Sequence, residues 1–156
     1  MNKDRFNQWL SLGANIGVLI GIALLVIELG QNREMMRAQI RNEMAQGLAW
    51  IATQDVSDED YADLRRRGDN GEELSETGRY QYRQYVFTFF RFWENMHYQY
   101  RIGLYDEVEF LRQKEAWRRA LAERPGFVSF WCSKKTTFSP DFGTEIDELL
   151  STHNCN

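Results

Sequence analysis

Glu94 and His97 stand three residues apart in the segment FRFWENMHYQYR, a spacing that brings a carboxylate and an imidazole onto one helix face. Carboxylate-bridged metal bundles use this E-x-x-H pattern in pairs, together with further glutamates. The chain has no second E-x-x-H, and its other histidine, His153, lies near the C-terminus, so no metal or other cofactor is expected. Around the pair, Arg91, Glu94, Asn95, Gln99 and Arg101 form a polar patch beside aromatic residues. Two readings fit it. One is a structural network, since a charge taken out of water must be paired. The other is a tyrosine-lined pocket in which Arg91 or Arg101 holds a small anionic ligand. Nucleophilic chemistry has little support: neither Cys132 nor Cys155 sits in a recognised reactive context, and neither G-x-x-x-x-G-K-[ST] nor G-x-G-x-x-G occurs. The protein is therefore expected not to be an enzyme.

Charge narrows the partners. Leaving aside Lys3, Asp4 and Arg5, which precede the first apolar segment, the totals of 19 basic and 23 acidic residues become 17 and 22, a net of −5. That balance disfavours nucleic acid, whose binding rests on neutralising phosphates. The run Arg65-Arg66-Arg67 could meet a phosphate, but acidic residues surround it, and a solvated helix end explains it better.

The elements that position these residues start with the segment WLSLGANIGVLIGIALLVI, Trp9 to Ile27, which carries no charge. At about 1.5 Å per residue it makes roughly 28 Å of helix, close to the ~30 Å of a hydrocarbon core. It exceeds the apolar stretch of a signal peptide, and no A-x-A-like site follows it at Ile27-Glu28-Leu29-Gly30-Gln31. The reading is a single-pass anchor over residues 1–30, in a cell inner membrane with the lipid bilayer as its first partner, followed by a soluble helical domain over residues 31–156. Orientation is nearly tied, with Lys3, Arg5 and the amino terminus on one side and Arg33, Arg37 and Arg41 on the other. The three arginines, spaced by four, could form a stripe against anionic lipid. Two cysteines suggest no disulfide framework, and no N-x-[ST] sequon occurs, which places the domain in the cytoplasm.

Gly13, Gly17 and Gly21 give two overlapping GxxxG units on one face of the anchor, and Glu28 falls near that face at its end. Such a face lets a second backbone approach closely in lipid, so a homo-oligomer is expected. Asn15 lies nearly opposite Gly17, roughly 160° away, and would need a different partner.

Beyond the anchor the periodicity is helical throughout, with Met36, Ile40, Met44, Leu48 and Ile51 three or four apart. The anchor should continue as a juxtamembrane helix. A short helix is expected around Tyr61 to Arg67, then a long one capped by Ser75 and stopped by Gly103. Tyr82, Val86, Phe89, Trp93, Met96 and Tyr100 form its core stripe. Asp106 caps the next helix, which Pro125-Gly126 ends, and Phe110, Trp117 and Leu121 mark its apolar side. Phe127, Phe130 and Trp131 suggest a shorter helix. Ser139-Pro140-Asp141 suggests a cap for a last one, packed through Phe142, Ile146, Leu149 and Leu150, before a frayed tail. The fold class is all-α, ending in a small helical bundle.

The second half, from about Leu74, resembles an uncharacterised bacterial family of small single-span membrane proteins. The residues that carry the resemblance are Phe90-Arg91-Phe92-Trp93-Glu94-Asn95, Tyr98-Gln99-Tyr100, Gly103-Leu104-Tyr105-Asp106, Trp117, Pro125-Gly126, Trp131 and Phe138-Ser139-Pro140-Asp141-Phe142. The resemblance implies the architecture and brings no activity. The expected role is a membrane-anchored interaction or scaffold module that self-associates through its membrane helix. The competing role is a sensor or effector that binds a small anionic ligand in the helical domain and passes the event to the membrane helix, with a pore as one output.

Overall fold

The computed structural model describes residues 3–150 and Cys155, and every element among them is a helix. In order these are α1 (Lys3–Ser57), α2 (Glu59–Asp69), α3 (Glu76–Arg101), α4 (Glu107–Glu123), α5 (Pro125–Lys134), a short 3-10 turn (Lys135–Thr137) and α6 (Pro140–Leu149). The chain divides into two compact units inside α1, between Ile40 and Arg41. The tail residues 151–154 and 156, His153 among them, lie outside the described residues.

The first unit is helix alone. The chain has only two prolines, Pro125 and Pro140, so nothing interrupts the backbone ladder of α1. Within it an 18-residue window reaches a mean hydropathy of 2.4 with none of that window buried. This helix is long and apolar enough to cross a membrane. Trp9 is 72% exposed, and Val18, Leu19, Leu25 and Val26 are exposed with it. A protein in water removes side chains of this kind from solvent, and an unburied run of them calls for another apolar phase.

In the second unit the caps set the boundaries. Asp58 accepts the amide of Tyr61 at 3.0 Å and starts α2. Ser75 Oγ accepts the amide of Gly78 at 3.1 Å and starts α3, while Asp106 Oδ1 accepts from Val108 and Glu109 at 2.9 and 3.1 Å and starts α4. Gly103, with φ of +75°, ends α3, and the amide of Leu104 reaches back to the Gln99 carbonyl at 2.9 Å. Two local expectations change. Pro125 does not merely end α4 but occupies the first turn of α5, where its missing N–H costs nothing. Ser139 makes no side-chain cap for α6; its backbone amide donates to Glu94 instead.

The core is aromatic. Phe90, Trp117, Trp131, Phe127, Phe110 and Phe142 are fully buried, joining α3, α4, α5 and α6. Trp93 stacks on Trp117 with centroids 5.2 Å apart, Phe90 on Trp131 at 5.1 Å and Tyr100 on Phe110 at 4.1 Å, geometries worth about 0.5–1.5 kcal/mol each beyond area burial. The indole N–H of Trp131 donates to Asp147 at 2.8 Å. Of the expected stripe on α3, Tyr82, Val86, Trp93 and Met96 are buried, while Phe89 and Tyr100 are half-buried. Helix α2 comes so close to α5 that a Cβ at Gly126 would collide with the Gly68 carbonyl and the Tyr82 hydroxyl. Only hydrogen fits there. Gly126 is thus a packing residue as well as a turn residue.

The cysteines correct an expectation. Cys132 on α5 and Cys155, 23 residues apart in sequence, are joined in a disulfide. The expectation rests on cysteine number, which is small. What matters here is that both cysteines are partners to each other.

Candidate functional site

The polar patch on α3 is built into the fold. Arg91 reaches Glu94 Oε2 at 2.5 Å and donates to the Thr137 carbonyl at 2.9 Å. Its guanidinium lies over the rings of Phe138 and Phe87 at 4.7 and 5.1 Å. Glu94 Oε1 accepts the Ser139 amide at 2.7 Å. These two side chains therefore fasten α3 to the segment between α5 and α6. Burial alone would raise the Glu94 pKa, but the Ser139 amide and Arg91 outweigh it and hold the carboxyl below its usual range. Gln99 makes a long contact of 3.5 Å with Asn95, and Arg101 pairs with Asp141 at the start of α6. Of the five expected ligand residues, Arg91, Glu94 and Arg101 have their charges met from within the chain.

Glu94 and His97 do not converge. His97, only 6% exposed, faces Glu145 of α6, with Nε2 3.7 Å from Oε2, and packs between the rings of Phe110 and Phe142. Glu145 also pairs with Lys114 of α4. Burial pushes the His97 imidazole below its ordinary pKa, and Glu145 opposes that shift in part. His97 thus sits neutral in a buried charge network that joins α3, α4 and α6. Among the described residues no three His, Cys, Asp or Glu side chains come together as a metal site.

The arginine run is also engaged. Arg65 lies over the Tyr85 ring at 4.0 Å, Arg66 pairs with Asp63 at 2.7 Å, and Arg67 with Glu72 at 3.4 Å. Of the three arginines after the anchor, Arg37 pairs with Glu34 at 3.0 Å and Arg41 with Glu109 of α4 at 2.7 Å.

No family model, curated protein or solved structure matches this chain. Function has to be argued from the geometry.

Two features stay open. The first is the glycine face: a Cβ placed at Gly13, Gly17 or Gly21 would meet nothing within 4 Å, and Glu28 is exposed. The second is a cleft of about 270 Å³ formed by the last turns of α1 with α2 and α3, lined by Trp50, Ile51, Gln54, Tyr61, Tyr80 and Tyr85, with Gln81, Gln84, Thr88 and Phe89 completing it. Trp50 and Tyr80 are 61% and 66% exposed at this cleft. Sequence reading missed it. Its residues come from three helices distant in the chain, and the one signal available was Trp50, an aromatic that falls off the apolar stripe of Met44, Leu48 and Ile51.

Proposed function

We propose that the chain is a non-enzymatic, single-pass inner-membrane protein that carries a small helical bundle and self-associates through the Gly13, Gly17 and Gly21 face of its membrane helix, with Glu28 at the end of that face. The observation that carries this reading is the open space at all three glycines on an unburied apolar helix. In lipid the hydrophobic effect does not drive helices together, so close backbone packing is what a small-residue face offers. The resemblance of the second half to small single-span bacterial proteins supports the same architecture. Its role is that of an interaction or scaffold module with lipid and a second copy of itself as partners, and its net negative charge argues against nucleic acid.

The test is crosslinking of the full chain in native membranes and its mass in detergent. Gly17→Ile puts a branched side chain where the second backbone would lie and should leave monomer, whereas an unchanged oligomer would remove the glycine face from the proposal.

For orientation, the charge count across the helix is nearly tied, and the disulfide is the observation that weighs on it. Disulfides persist in oxidising compartments and are rare in the cytosol. The Cys132–Cys155 bond therefore favours the helical domain on the outer, oxidising side, against the cytoplasmic placement expected from cysteine scarcity. Treatment of denatured, unreduced protein from cells with a large maleimide checks this. The outward orientation leaves both cysteines unmodified until a reductant is added; modification without reductant speaks for the cytoplasm.

Against the anionic-ligand role we weigh the engagement of Arg91 and Glu94 by the backbone of Thr137 and Ser139.

A further inference from the structure

The cleft at Trp50 combines five aromatic side chains, Trp50, Tyr61, Tyr80, Tyr85 and Phe89, with three glutamines, Gln54, Gln81 and Gln84. None of the three glutamine amides has a hydrogen-bond partner among the described residues, whereas Thr88 already donates to the Gln84 carbonyl at 2.9 Å. Among the described residues no Asp, Glu, Lys, Arg or His lines the cleft. Arg65 is stacked on the Tyr85 ring. We propose that this cleft binds a flat, uncharged ring ligand, stacked against Trp50 and Tyr80 and hydrogen-bonded along its edge by the Gln54, Gln81 and Gln84 amides.

Each part of the lining selects for that chemistry. Exposed indole and phenol rings gain most from a flat partner that covers their faces. An amide presents both a donor and an acceptor, and so matches imide or amide edges of a heterocycle rather than a full charge. A charged ligand would lose water here with no counter-charge in return. At about 270 Å³ the cleft falls just under the range that drug-sized ligands occupy, which suits roughly two or three fused rings. The two aromatics are also costly to leave in water, and a partner that covers them repays that cost.

Lumiflavin is a suitable probe, being planar, uncharged, edged by an imide and fluorescent, with an emission that stacking on tryptophan or tyrosine quenches. Titration of the full chain in detergent micelles should give saturable quenching. Trp50→Ala should weaken it about tenfold, the loss expected for one stacked ring, and Gln84→Leu about threefold to tenfold, for one hydrogen bond. Both side chains are exposed, so both variants should keep the melting temperature of the parent chain. Flavin mononucleotide, the same ring with a phosphate tail, should bind no more tightly. Absence of saturable quenching, or quenching that both variants retain, overturns the proposal. Tighter binding of the phosphate form overturns the uncharged class. A smaller oligomer for Trp50→Ala with no probe binding overturns it in favour of a second copy of the chain at this cleft.

Discussion

Two regions of this chain use the same apolar residues in opposite ways. In the first unit Trp9, Leu19 and Leu25 are exposed along a helix without neighbours, while in the second Trp117, Trp131 and Phe90 are enclosed by four helices. The aliphatic residues of the first unit lie all around the helix, so no single face could be covered by a soluble neighbour. The second unit is instead aromatic-rich and striped, with charged residues on its outer faces. Large rings let a unit of this modest size enclose a core, because each ring buries far more area than an aliphatic side chain. The difference teaches that placement, not hydrophobicity as such, separates the two: one region leaves its apolar residues unburied on a helix long and apolar enough to cross a membrane, the other encloses them in its own interior.

The largest effect that would sharpen this contrast is a truncation in the aromatic core. Trp131→Ala removes a fully buried ring together with its hydrogen bond to Asp147 and should cost about 3–5 kcal/mol. Leu19→Ala, on the exposed apolar helix, should change the same unfolding midpoint by no more than about 0.5 kcal/mol. Denaturant unfolding of the full chain in detergent, followed by tryptophan fluorescence, measures both. Equal effects would break the contrast.

Next in size is the disulfide. Closing a loop of 23 residues restricts the unfolded chain by about 3 kcal/mol in the chain-entropy account, so Cys132→Ser and reduction of the parent protein should lower the unfolding midpoint by the same amount. The variant should be insensitive to reductant. A midpoint unchanged by reduction would show that the tail contributes nothing to the second unit.

Acid should weaken the second unit and leave the first unaffected. The Glu94 carboxyl is held below its ordinary pKa, so its contribution is complete above the unfolded value of about 4.3 and is lost as pH falls through the folded value. His97 is also held low, by burial. The unfolded chain therefore takes up its proton first, near pH 6.5, and stability falls as pH drops below that. Thermal melts between pH 7.5 and 3.5 should show two losses, one starting near pH 6.5 and one at about pH 4. His97→Gln should abolish only the upper one. If it leaves the upper loss in place, His97 is not its source.

Much of this was legible in the sequence, and what was not has physical reasons. The long apolar helix was readable because its signal is local: length and the absence of charge suffice. The caps at Ser75 and Asp106 were readable for the same reason. The stripe on α3 was drawn too narrow. Tyr85, Phe90 and His97 are buried as well, because α3 is covered by α2, α4, α5 and α6 and no single 3.6-residue period describes a helix enclosed on several sides. Arg91 and Glu94 could be singled out from the sequence, but their partners are the backbone groups of Thr137 and Ser139, about 45 residues away, and backbone groups carry no sequence signature. Gly126 and the disulfide share this difficulty, since both depend on which segments meet in space.

The smallest effect concerns one of the readable features. Asp106 accepts two amides of the first turn of α4, from Val108 and Glu109. Its negative charge stands at the positive end of the helix dipole, along with Glu107 and Glu109. Asp106→Ala should cost about 1 kcal/mol, and Asp106→Asn distinctly less, because asparagine keeps the accepting oxygen and loses only the charge. If instead the two variants lose equal amounts, the dipole rather than the hydrogen bonds holds this helix end. Tyr105 would then matter too: the phenol just before the cap is pushed to higher pKa by burial first and by Glu109 second, so it shares the field of the same helix start. A melt of each variant at high and low salt separates the two causes, since salt screens the exposed charge and leaves the two amide hydrogen bonds intact.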